Sequence, residues 1–122
     1  MFVLITKCLL VCENDVLVAG VRLLLAEQNE LEVYVIGTNI EAELAQTLET
    51  LHPDMVILDE EVRSAFSDQL WQLIMSRSDL LVIIFNQNDN VLHIQQNEQP
   101  AEAHVRNLGE VIRNYSAHSR LS

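Results

Sequence analysis

The spacing of apolar positions along this chain alternates between two periods. KCLLVC, Lys7 to Cys12, is apolar on both faces after the lysine, as a central strand of a parallel sheet is. Asn14 or Asp15 then caps a helix, whose apolar set is Leu17, Val21, Leu24 and Leu25. That helix is expected to fade near Gln28–Asn29. LEVYVIG, Leu31 to Gly37, is a second strand, rich in β-branched and aromatic residues. Thr38 and Glu41 form a capping-box pattern before a helix with Leu44, Leu48 and Leu51 on its buried stripe. His52–Pro53 stops it. DMVIL, Asp54 to Leu58, is a third strand, again apolar on both faces. Phe66, Leu70, Leu73 and Ile74 predict a third helix, with Trp71 beside the stripe. LLVIIF, Leu80 to Phe85, is the fourth strand and the most hydrophobic.

Strand then helix, three times over, implies right-handed crossovers and a doubly wound parallel α/β sheet. After the fourth strand the rhythm breaks. NQNDN, Asn86 to Asn90, is all polar and too short for a crossover helix, which needs a dozen residues or more. VLHIQ, Val91 to Gln95, therefore reads as a fifth strand returning through a hairpin with Asp89–Asn90 in the turn, an antiparallel edge. A last helix is expected from Pro100, which suits the first helical position, with Val105, Leu108 and Ile112 as its apolar positions.

Composition narrows this picture without redirecting it. The 122 residues are 49% apolar, enough for one domain with a core, taken as residues 1–114, followed by a polar tail at 115–122. Eighteen acids against seven Lys plus Arg give a net charge of −11. No basic patch can be drawn, so neither nucleic acid nor an anionic membrane is an expected partner. Cys8 and Cys12 stand four apart on one face of a strand, roughly 13 Å from each other, too far to bridge. They read as small buried hydrophobes in a reducing cytoplasm. The opening MFVLITKCLLVC lacks a basic lead and is followed by Glu13 and Asp15 rather than a cleavage site, so it reads as strand rather than signal.

The candidate chemistry lies at strand ends. Ligands in open α/β sheets sit beyond the carboxyl ends of the strands, and there Glu13 follows strand one and Asp59 ends strand three. Two such carboxylates can share a Mg²⁺ ion, and one can accept a phosphoryl group beside it. The plainer alternative is that they are solvated boundary residues. Glu60 and Glu61 read as solvent-facing or helix-proximal charge.

LLVCENDVLVAGVRLLL, Leu9 to Leu25, and HPDMVILD, His52 to Asp59, resemble the receiver domain of bacterial response regulators, from about Lys7 to Phe85 and loosely through the last helix. The resemblance implies a flavodoxin-like sheet of order 2-1-3-4-5, with the fourth crossover helix missing here. It also implies phosphotransfer from a histidine kinase to Asp59, with Mg²⁺ held at Glu13 and Asp59. Several family residues are absent. The metal-binding acid pair falls on Cys12 and Glu13, the hydroxyl residue after strand four falls near Phe85–Asn86, and the lysine after strand five falls near Gln95. The only lysine, Lys7, enters strand one at the opposite end of the sheet. The expectation is thus a non-enzymatic pseudo-receiver needing no cofactor; the alternative is an atypical Mg²⁺-dependent phosphoacceptor at Asp59.

Two further expectations follow. Loss of the fourth helix would leave strand four partly uncovered, so a homodimer or a signalling partner is expected against Phe85, Val91, Leu92, Ile94, Val105, Leu108 and Ile112. Gly20 and Gly109 lie inside helices, where close helix packing would account for them.

Overall fold

The computed structural model describes residues 6–13, 15–26, 31–37, 40–77, 80–86, 90–96 and 99–112. Strand β1 (Thr6–Val11) leads into helix α1 (Asp15–Leu25), then β2 (Leu31–Ile36), α2 (Ile40–Leu51) and β3 (Met55–Asp59). Two short helices, α3 (Glu60–Ser64) and α4 (Asp68–Met75), precede β4 (Leu81–Phe85). Strands β5 (Val91–Gln96) and β6 (Gln99–His104) follow, then a 3₁₀ turn (Val105–Asn107) and a helical turn at 108–112.

One sheet holds all six strands in the order β2-β1-β3-β4-β5-β6. The pairs β1/β2, β1/β3 and β3/β4 are parallel; β4/β5 and β5/β6 are antiparallel. This is the expected flavodoxin-like order with an antiparallel hairpin after strand four. Asn90 closes that hairpin in the left-handed region at φ 57, donating its N–H to the Asn86 carbonyl at 3.2 Å. Such a conformation suits asparagine. Asp89, the other residue expected in the turn, lies outside the described residues, as do Asn14, Thr38 and the tail at 115–122.

Why the parallel strands read as unbroken apolar runs is now plain. Cys8, Leu10, Met55, Ile57, Leu81, Ile83 and Phe85 face one core with Val21 and Leu25 of α1 and Leu108 and Ile112 of the last helical turn. Leu9, Val11, Val56, Leu58, Val82 and Ile84 face the other, with Leu44, Leu48, Val62, Leu70 and Ile74 of α2, α3 and α4. Burying each such side chain contributes about 1.5–3 kcal/mol. Helix α2 ends at His52, a non-glycine residue in the left-handed region at φ 51, and buried Pro53 prevents continuation. Asp54 then ties three strands together. Its Oδ2 accepts from the Lys7 N–H at 2.8 Å, its own N–H donates to the Lys7 carbonyl at 2.9 Å, and its carbonyl accepts from Leu81 at 3.1 Å.

Four expectations need correction. Residues 99–104 are strand, so no helix starts at Pro100, and β6 rather than β5 is the edge. Ala101 and Ala103 face the core side opposite Ile94 and Leu92, while Glu102 lies opposite His93. Proline is tolerated on an outermost strand, where its missing N–H breaks no inner ladder. The helix predicted around Phe66 to Ile74 is α4, but it starts only after Phe66, at Asp68, because Ser67 caps it by accepting from the Leu70 N–H at 3.2 Å, and the short α3 before it was not expected. All five residues of β4 are buried, so the missing crossover helix leaves no wet apolar strand. Finally, a Cβ added at Gly20 meets nothing within 4 Å, so packing inside the chain does not account for that glycine.

Candidate site at the carboxyl edge of the sheet

Asp59 is the last residue of β3 and the N-cap of α3. Its backbone is extended (φ −77, ψ 137), and its Oδ1 accepts from the Glu61 N–H at 3.1 Å. An N-cap of this kind contributes about 1 kcal/mol. Glu60 and Glu61 occupy the first turn of α3, where the helix dipole favours negative charge. The run of three acids therefore has a local structural reason: strand end, cap, first turn. The three differ in exposure. Asp59 is 3% exposed, the only buried polar or charged residue among those described, whereas Glu60 and Glu61 face solvent.

Cys12, just past β1, is buried beside Asp59. Its thiol donates towards Asp59 Oδ2 at 3.9 Å. Position 12 thus sets a sulfur donor against the Asp59 carboxylate. Cys8, two pleat repeats earlier on the same face, has its thiol pushed up to about 12 by burial. Neither cysteine forms a disulfide among the described residues.

A cavity of about 830 Å³ opens over Asp59. Its walls are Glu13, Ile40, Glu41, Asp59, Glu61, Val62, Ala65 and Phe66. Glu13 and Asp59, singled out in sequence, are thus brought to one cavity from neighbouring strands. Ile40, Glu41, Val62, Ala65 and Phe66 were not foreseen there. They arrive from the start of α2, from α3 and from the α3–α4 turn, and the Glu41 carboxylate fixes that turn by accepting from the Ser67 N–H. Four carboxylates line the cavity and no Lys or Arg does, among the described residues. Arg63, on α3, stacks over the Trp71 ring at 4.3 Å instead. Lys7 points its Nζ at the Leu51 carbonyl, 3.4 Å away at the other end of the sheet. Among the described residues no group of three or more His, Cys, Asp or Glu is placed to hold a metal ion.

The residues expected at an interface divide. Phe85, Leu92, Leu108 and Ile112 are buried in the chain's own core, Val91 and Ile94 are half-buried, and the side chain of Val105 lies outside the described residues. The opposite face of the hairpin is polar, with His93 Nδ1 3.5 Å from Glu102 Oε1. No helix among the described residues is long and apolar enough to cross a membrane. No protein-family model matches the sequence, and no curated protein or solved structure matches it either.

Proposed function

We propose that the chain is a non-enzymatic regulatory module, a degenerate receiver-like domain of two-component signalling that works by protein contact rather than phosphotransfer. The observation that carries this reading is the one-signed lining of the cavity over Asp59: Glu13, Glu41, Asp59 and Glu61, with no cationic side chain among the described residues. Phosphoryl transfer to a carboxylate relies on cations that offset charge on the moving oxygens. A phosphoryl group would add about −1.5 to −2 charge here. Lys7 is committed to the opposite end of β1, and Cys12 replaces an acid that would help hold a metal. The partner is a second copy or a signalling protein. Two buried thiols outside any disulfide suit a reducing compartment such as the cytoplasm.

The alternative, a Mg²⁺-dependent phosphoacceptor at Asp59, is favoured by one observation. Asp59 and Glu13 share a solvent-reaching cavity at the strand ends, where two oxygen ligands and several waters would suffice for Mg²⁺. A thermal melt with millimolar Mg²⁺ and fluoroberyllate, a mimic of the acyl phosphate, separates the two. The contact reading expects no rise in Tm. A rise that disappears in Asp59→Asn would favour the phosphoacceptor.

A further inference from the structure

Helix α1 is apolar on the wrong side as well as the right one. From Val16 to Ala26 its only polar residue is Arg22. A helix hydrophobic all round is normally buried all round. Yet α1 buries one side, through Val21 and Leu25, and leaves Val16 80%, Leu23 75% and Leu24 40% exposed. Ala19 and Gly20 are exposed between them. Positions 16, 19, 20 and 23 form one continuous stripe along the helix. Val35 of β2 sits on the same sheet face, paired with Leu10, and is 40% exposed.

We infer that this stripe is the contact between two copies of the chain, laid antiparallel about a two-fold axis near Gly20. Three observations favour a second copy as the occupant. The stripe is self-complementary: with small residues at its centre, an antiparallel copy sets Ala19–Gly20 against their equivalents and Val16 against Leu23 of the other copy. It supplies the reason for Gly20 that the single chain lacks, since a Cβ there meets nothing within 4 Å. A glycine in mid-helix is costly unless another backbone approaches it. Charge points the same way. At a net charge of −11, most faces of the molecule repel a like copy, but residues 16–26 carry no acid. The exposed Arg22, near the end of α1, would lie alongside the start of the other α1, which exposed Glu13 precedes. One helix stripe is smaller than the roughly 800 Å² per partner of a standard interface, so the dimer is reversible and concentration-dependent. This inference gives the contact reading a surface. Its test is independent of the phosphate question, so either can fail alone.

Sedimentation equilibrium over rising concentration, to about several hundred micromolar, reads the outcome. The wild-type mass is expected to climb towards the dimer, and Leu23→Glu to stay monomeric with an unchanged melting temperature. Under oxidation Gly20→Cys is expected to cross-link between chains at least tenfold faster than Ala101→Cys on the β6 edge; Cys8 and Cys12, 0% and 2% exposed, stay silent. A wild-type monomer throughout, a Leu23→Glu dimer, or equal cross-linking of the two cysteine variants overturns the inference.

Discussion

At the amino end of β1, Lys7 donates to the Leu51 carbonyl and its backbone is clamped by Asp54; at the carboxyl end, Cys12 faces Asp59 beneath a rim of glutamates. The two ends carry an aspartate each, placed to opposite effect. Asp54 accepts a backbone N–H and joins β1 to β3 and β4, so its charge is used to hold strands in register. Asp59 caps α3 by accepting from the Glu61 N–H and sits buried beside the Cys12 thiol, in a cavity lined by Glu13, Glu41 and Glu61. The chain's single lysine is on the side that needs no catalysis. The sheet thus sets a strand-end acid over a cavity at one end and its lysine at the other.

The comparison can be sharpened at each end. The largest expected effect concerns Cys8, at the amino half of β1. Its folded pKa of about 12 lies above the ordinary thiol value of 9.0, so the unfolded chain loses this proton first as pH rises. Stability is then full below about pH 9 and falls above it by about 1.4 kcal/mol per pH unit until roughly pH 12. Urea unfolding between pH 8 and about 11 should show that slope in the wild type and lose it in Cys8→Ala. A slope that survives the substitution would mean the thiol is not the group responsible.

Next in size, Asp54→Ala should cost about 2 kcal/mol in urea unfolding at neutral pH, because it strands the Lys7 N–H at a part-buried position. Asp59→Asn should do the opposite. The amide oxygen still accepts from the Glu61 N–H, and a buried charge near Glu13 and Glu61 is removed. Stability is expected to stay level or rise by less than about 1 kcal/mol. A loss as large as that of Asp54→Ala would erase the distinction between the two ends. The smallest effect belongs to the hairpin: Glu102→Gln breaks an exposed pair with His93, at 43% and 70% exposure, and should shift stability by under about 0.5 kcal/mol.

How far the sequence could be read depended on how local each signal is. Strands β1, β3 and β4 were legible because each is buried on two faces and shows an unbroken apolar run. Helix α2 was legible from Leu44 and Leu48. Strand β6 was not, because Pro100 fits a helix start and Ala101 and Ala103 are poor strand formers; the faint cue was the alternation Ala-Glu-Ala-His. The covering of β4 was missed on its other face, where Val82 and Ile84 share a core with Val62 of the unforeseen α3 and with Leu70 and Ile74 of α4. At the site, Glu13 and Asp59 were found because the ends of parallel strands share one edge. The walls built from Ile40, Glu41 and Phe66 come together from separate connections, which no local pattern encodes. The capping role of Asp59 did have a signature, an Asp followed by Glu in the next turn.

The claim that the carboxyl edge lacks the cations for phosphotransfer is met most directly by one mass measurement. The intact protein is incubated with Mg²⁺ and a small acyl phosphate and weighed within minutes. The account predicts the unmodified mass alone, for the wild type and for Asp59→Asn alike. A phosphoryl adduct on the wild type that is missing from Asp59→Asn would contradict it.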